Sequence, residues 1–278
     1  MSTKKIYEIR PEGPSFFFRF LEFLTKKNSW DLEFQHQPGL TPEVHHDAAG
    51  IAVDLSLSQS LLEGIAVQPT LVRNLQSLDS FFQDDGAWLP RILYYEALRL
   101  VLIEKARDLD IRQPAFVVAR AEKMRIVASL LAEMGFSNIY LVSADADDLD
   151  QQQEFLSRRQ LGIRFHKVPA EELTLQVVSA AIIINAEDLY NDEALLSDLS
   201  YFNYMKGNGY VLDLHWEAEK NLLLEEAHSA ELKTLSPVLI LGHLVNLWLQ
   251  RLNLPTQIKV EEIEESWILF LKENSSSV

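Results

Sequence analysis

Residues 115–145, AFVVARAEKMRIVASLLAEMGFSNIYLVSAD, constrain this chain more than any other stretch. The β-branched run Phe116-Val117-Val118 precedes apolar residues at Met124, Val127, Leu130, Leu131 and Met134, the spacing of one helix face. Gly135 closes that helix, and Ile139-Tyr140-Leu141-Val142 forms a second apolar run. Strand, helix, glycine stop and strand make a βαβ unit, which commits this part of the chain to a parallel sheet. Where such a unit grips a nucleotide, glycines in its first turn let the backbone approach the phosphates. The turn here, Ala119-Arg120-Ala121-Glu122-Lys123, contains none.

The remaining segments extend the alternation. Ahead of the central unit, residues 6–9 and 30–35 read as strands, and Ser15 is placed to cap a helix rich in phenylalanine whose rings serve a packing core. Residues 37–50 read as a loop, 51–55 as a strand, 58–63 as a helix, 64–67 as a strand and 71–82 as a helix. Asp84-Asp85-Gly86 is a turn, and a long helix over 90–108 presents Ile92, Leu93, Ala97, Leu100 and Ile103 on one face. Beyond the central unit, 147–159, 171–178, 195–204 and 222–230 read as helices and 163–168 as a strand. Residues 209–214 form a further strand, and Ala181-Ile182-Ile183-Ile184 has the continuous apolar character of a parallel strand covered on both faces. A helix over 237–252 is apolar nearly all round, Pro255 breaks the chain, and an amphipathic helix over 260–272 leads to a polar tail expected to be disordered.

The fold class is therefore α/β, in two lobes: an N-terminal α/β domain over 1–95, joined by returning helices over 237–278, and a Rossmann-like doubly wound parallel sheet over 96–236. At 278 residues the chain has ample length for a core. Its formal net charge of −16 argues against a nucleic-acid partner and against anionic membrane surfaces. The absence of cysteine excludes thiolate chemistry and disulfides. No run reaches the length of a membrane span, and the first residues lack the apolar core of a signal peptide, so a cytoplasmic protein is expected.

With the segments placed, their order resembles the shikimate dehydrogenase family, in which an α/β substrate domain precedes an NADP-binding Rossmann domain. The best anchor runs from Val211 through Asp213, Leu214, His215, Trp216 and Asn221 to Ala227. It is similar to the family's V-x-D-L-x-Y-x-P-x-x-T-P-L-L-x-x-A, with Trp216 at the tyrosine. Ile184-Asn185-Ala186 resembles the start of I-N-A-T-P-x-G-M. The resemblance implies an NADP-dependent oxidoreductase on shikimate-like acids, yet the motifs for that chemistry depart from the family pattern. G-A-G-G-A-A-R falls on residues 119–125, so that Ala119, Ala121 and Glu122 replace glycines and only Arg125 is kept. Glu122 puts a negative charge where a diphosphate would bind the helix N-terminus. N-R-T becomes Ser143-Ala144-Asp145, which loses the arginine that reads a 2′-phosphate; Asp145 is the residue type that holds a ribose 2′-hydroxyl in NAD-binding units. V-T-x-P-x-K falls on residues 67–72 with Val72 at the catalytic lysine, beside Arg73, which cannot exchange a proton near neutral pH. N-T-D lies near Trp88-Leu89-Pro90, without its aspartate. Ser15 is what remains of the substrate-binding S-x-S loop, and Gln250 matches the family's substrate glutamine with a one-residue shift.

Other chemistry is sparse. His45-His46-Asp47 invites a metal, but neighbouring side chains on an extended segment point to opposite faces. Asp213, His215 and Glu217 alternate at a strand's carboxyl end, where open sheets bind ligands; a structural role for Asp213 is favoured over an acid–base or metal cluster. His243 reads as a core histidine. The expectation is a degenerate member of the fold, without cofactor or metal, that binds a small ligand between its lobes or another protein. Candidate ligand contacts are Ser15, Asp213, His215, Trp216 and Gln250. Two alternatives stand beside it: an active oxidoreductase using NAD through Asp145, and an interaction protein docking through its acidic surface or last helix.

Overall fold

A computed structural model describes residues 3–254 and 257–275. The chain divides into two compact units, Met1–Leu98 with Ile240–Val278, and Arg99–Leu239.

The first unit begins with β1 (Lys4–Ile9), α1 (Phe16–Asn28), β2 (Leu32–Gln37), α2 (Pro42–Asp47) and β3 (Ala48–Val53). After a 3-10 turn at Leu55–Leu57 come α3 (Ser58–Leu62), α4 (Thr70–Leu75), β4 (Ser80–Asp84), β5 (Ala87–Arg91) and α5 (Leu93–Lys105). The five strands lie in the order β2-β1-β3-β4-β5, with β1 parallel to both neighbours and the β4–β5 hairpin antiparallel. Ser15 caps α1 by accepting from the Phe18 amide at 3.1 Å. The phenylalanines of that helix are core, as expected: Phe16 meets Phe270 edge-on at 5.1 Å, and Phe20 and Phe23 pack on the same ring.

The second unit contains β6 (Ala115–Val118), α6 (Ala121–Glu133), β7 (Asn138–Ser143), α7 (Ala146–Arg159) and β8 (Arg164–Pro169). A 3-10 segment at Ala170–Leu175 leads to β9 (Ala180–Asn185), α8 (Glu193–Ser200), β10 (Met205–Asp213), α9 (Leu222–Ser229) and β11 (Lys233–Leu235). These strands form a six-stranded, all-parallel sheet in the order β11-β10-β9-β6-β7-β8. Every residue of β6 and β9 is buried, as strands covered on both faces must be. An aromatic stack crosses the sheet from Tyr204 through Phe116 and Tyr140 to His166, with centroids 4.5–5.0 Å apart. Two helices, α10 (Pro237–Arg251) and α11 (Val260–Ser275), complete the chain, and the buried residues of α10 include Leu241, Val245, Trp248 and Leu249.

Several sequence expectations are corrected. Residues 37–50 are not a loop: Pro42 at a helix start nucleates α2, and β3 begins at Ala48. His45 and His46 therefore sit on a helix, with Trp88 donating to the His45 carbonyl and Asp47 paired to Lys5. No cluster of three metal-ligating side chains occurs among the described residues. Residues 64–67 form no strand and Val67 is exposed. The helix expected over 71–82 stops at Leu75, where Gln76 turns left-handed (φ 49°), and Phe81 and Phe82 enter the sheet instead. Pro90 belongs to β5, so α5 starts only at Leu93; its buried side runs through Leu98, Val101 and Leu102, leaving Ile103 exposed. Glu273 and Asn274 continue α11 rather than a disordered tail; residues 276–278 and Pro255 lie outside the described residues.

The packing of the first unit can be tested at two positions. A Cβ on Gly50 would stand 3.0 Å from the Phe82 ring and 3.1 Å from the Trp248 ring, both buried. Gly50→Ala is expected to cost about 1–3 kcal/mol in urea unfolding through this overlap. Asp79 accepts from the Leu93 and Tyr94 amides and so caps α5. Burial nevertheless pushes its carboxyl from 3.8 up to about 6, against those hydrogen bonds. Protonation is thus favoured in the folded state. The stability it contributes is complete below the unfolded value and is lost as pH rises from about 4 through about 6. Glu8, raised by its own burial, acts in the same sense. Thermal melts of Asp79→Asn should show a shallower decline over that window than the parent chain.

Candidate functional site

In the second unit the chain leaves β6 toward β7 and β8 on one side, and returns to β9 on the other side. The carboxyl ends of β6 and β9 therefore flank the switch point at which open parallel sheets bind ligands. Residues 119–123 leave β6 there and enter α6. Ala119 is buried, Arg120 occupies the N-cap position without a side-chain cap, and Ala121 is left-handed at φ 49°. The turn keeps a backbone conformation that suits glycine, and an alanine is held in it.

The chain itself engages the donors at this turn. The Ala121 amide donates to the Asp148 carboxylate at 3.1 Å. Gln152 donates to the other Asp148 oxygen at 2.6 Å, and Arg125 donates to Gln152 at 2.6 Å. Two nitrogens of the Arg120 guanidinium converge on one Glu187 oxygen, Nε at 2.9 Å and a terminal nitrogen at 2.7 Å. That pairing raises the Arg120 pKa further. Lys123 donates to the Ala186 carbonyl at 3.3 Å. Glu122 lies in the first turn of α6, where the helix dipole favours a carboxylate. Asp145 caps α7 by accepting from the Asp148 amide at 3.0 Å.

From Glu187 the network continues to the next strand tip. Asn185, fully buried at the end of β9, accepts from the Glu187 amide and donates to the Glu187 carbonyl and to Asp213. The buried Asp213 carboxylate receives four hydrogen bonds: from Asn185, the His215 amide, His215 Nδ1 at 2.8 Å and Asn221 at 3.1 Å. Asn221 in turn caps α9. The aspartate thus ties β9, β10, the following loop and α9 together, with its buried acceptor sites satisfied from within the unit. Trp216 is half-buried beside this hub.

Ser15 and Gln250 belong to the first unit, and no hydrogen bond joins them. The Ser15 amide donates to the buried Glu8 at 2.8 Å, and its hydroxyl donates to the other Glu8 oxygen. At that sheet's own switch point, between β1 and β3, Arg10 pairs with Asp54 at 3.0 Å. Gln250 is exposed on α10. Val72 is buried on α4, with Arg73 exposed beside it. Sequence reasoning missed Asp148, Glu187 and Glu8. The first two are acidic residues that follow the ends of β7 and β9, a signal that does not name the donors they meet; Glu8 lies within β1, and no local signal marks it.

These features define a two-unit α/β protein whose second unit is a Rossmann-type sheet. No protein-family model matches the sequence, and no curated protein does. Solved structures share the fold across nearly the whole chain. Shikimate 5-dehydrogenase from Listeria monocytogenes, in complex with shikimate and NAD, matches with a TM-score of 0.75 at 14% identity, over 95% of this chain and 96% of that one. Quinate dehydrogenase from Corynebacterium glutamicum, in complex with NAD, matches at 0.78 and 12%, over 96% and 99%. Shikimate 5-dehydrogenase from Thermus thermophilus, in complex with shikimate, matches at 0.73 and 16%, over 97% and 99%. This chain has the fold of the shikimate and quinate dehydrogenases.

The left-handed Ala121 gives the site a stability test. Relief of its Cβ in Ala121→Gly should raise stability by about 0.5–1 kcal/mol, and Ala121→Val should lower it, read as shifts in the denaturation midpoint.

Proposed function

We propose that this chain is a shikimate-dehydrogenase-like protein without NADP-dependent activity, retained for a binding, scaffolding or regulatory role toward a small ligand or another protein. The observation that carries this reading is the engagement of the nucleotide turn by the chain's own carboxylates. A dinucleotide diphosphate needs close backbone approach and free N–H donors at this turn. Here Ala121 and Glu122 bring side chains to the approach, the Ala121 amide is held by Asp148, and Arg120 is held by Glu187. A diphosphate would meet Glu122, Asp148 and Glu187 together, so the residues present do not fit it. The substrate side supports the same reading. No lysine occurs over residues 67–72 where the family's acid–base group falls, and the Ser15 donors are spent on Glu8.

A second reading, an active oxidoreductase with an altered nucleotide site, has one observation in its favour: solved proteins of this fold hold NAD. Fluorescence titration with NADPH and NADH, together with a shikimate and quinate oxidation assay, separates the two. The non-catalytic reading expects no saturable signal into the millimolar range and no turnover above background. Micromolar cofactor binding with turnover would establish the oxidoreductase.

A further inference from the structure

The opposite end of the second unit's sheet holds a feature that the binding reading does not use. Between Met205 and Tyr210 the pairing of β10 with β9 lapses, so residues 206–209 stand opposite Ala181 alone. The displaced segment is built for its shape. Asn208 is left-handed at φ 64°, and a Cβ on Gly209 would come within 2.9 Å of Met205 and 3.0 Å of the Lys206 carbonyl. A bulge of this kind re-aims side chains at a sheet end. Beside it lies a cavity of about 80 Å³, open to solvent on one side, lined by Asp108, Asp110, Lys206, Tyr210 and Lys233.

The charges around that cavity alternate in sign. Lys206 pairs with Asp110 at 3.1 Å, and Lys233 pairs with Asp108, which also accepts from the Tyr210 hydroxyl. Arg112 holds Asp110 from outside, at 2.9 Å. The Lys233 ammonium lies 5.0 Å from the Tyr210 ring centre. Both carboxylates are ionised at neutral pH: hydrogen bonding from Lys233 pulls Asp108 down to about 2, and Arg112 with Lys206 pulls Asp110 lower still. Each ammonium has three donors and each carboxylate about four acceptor sites, so these bonds leave capacity of both kinds.

A simple anion would face two carboxylates here, and a simple cation would face two ammonium groups. A molecule carrying both charges on adjacent atoms answers both. Allowing about 10–15 Å³ per water-sized group, the cavity takes roughly 5–8 non-hydrogen atoms. We propose that this cavity binds a small zwitterionic α-amino acid, between glycine and serine in size, with its carboxylate received by Lys206 and Lys233 and its ammonium by Asp108 and Asp110. The site is independent of the turn after β6, so its ligand stands or falls apart from the proposed loss of cofactor binding.

Isothermal titration of the full chain tests this with glycine, alanine and serine, against glycolate, ethanolamine, leucine and inorganic phosphate. The proposal expects saturable heat from at least one of the three small amino acids. Glycolate, ethanolamine and leucine should bind at least tenfold more weakly than it does. Lys206→Gln and Asp110→Asn should each weaken that binding at least tenfold, in proteins whose circular dichroism matches the parent. Absence of saturable heat from all three small amino acids would overturn it, as would phosphate binding as tightly as the best of them. These arms use the unaltered chain, so the outcome stands even where a variant fails to fold.

Discussion

The amide of Ala121, at the start of α6, donates its hydrogen to the carboxylate of Asp148 on α7. That single bond fixes how the second unit presents its carboxyl edge. It joins the start of α6 to α7, and beside it the Arg120–Glu187 pair joins the start of α6 to the end of β9. Helix N-termini and free guanidinium groups are anion receptors by construction. Once an internal carboxylate occupies each of them, the receptor becomes a brace.

The first unit repeats the arrangement with different residues. Ser15 directs both its amide and its hydroxyl to Glu8, and Arg10 pairs with Asp54 across the ends of β1 and β3. Each sheet thus has an arginine–carboxylate pair at its switch point, and each has a helix-start donor held by an acidic side chain from the same unit. A carboxylate on the same chain reaches these donors without the translational entropy cost that a solution anion pays. The acidic composition of the chain has a local counterpart at these positions, where carboxylates hold the donors.

Much of the architecture was legible in the sequence because burial on both faces leaves an unmistakable pattern. The run Ala181-Ile182-Ile183-Ile184 could only be a covered strand, and Gly135 with its left-handed φ of 105° marks the end of α6 as read. The errors fell where tertiary pairing overrides local preference. Phe81 and Phe82 continue a helical spacing from Leu71, but an antiparallel partner claims them for β4. At the candidate site, the missing glycines of 119–123 were plain in the sequence itself. Which groups engage the donors of that turn was not legible. Asp148 and Glu187 lie 27 and 67 residues from their partners, and no local pattern encodes a bond across such a separation.

If these internal carboxylates, rather than a collapsed backbone, keep anions from the turn after β6, removing them should expose an anion site there. Calorimetric titration of pyrophosphate into the parent chain and into the Asp148→Ala/Glu187→Ala double variant tests it most directly. No saturable binding is expected of the parent and measurable binding of the double variant, whose Ala121 amide and Arg120 guanidinium are released. Saturable binding of equal strength by both proteins would contradict it, as would continued silence from a double variant that folds.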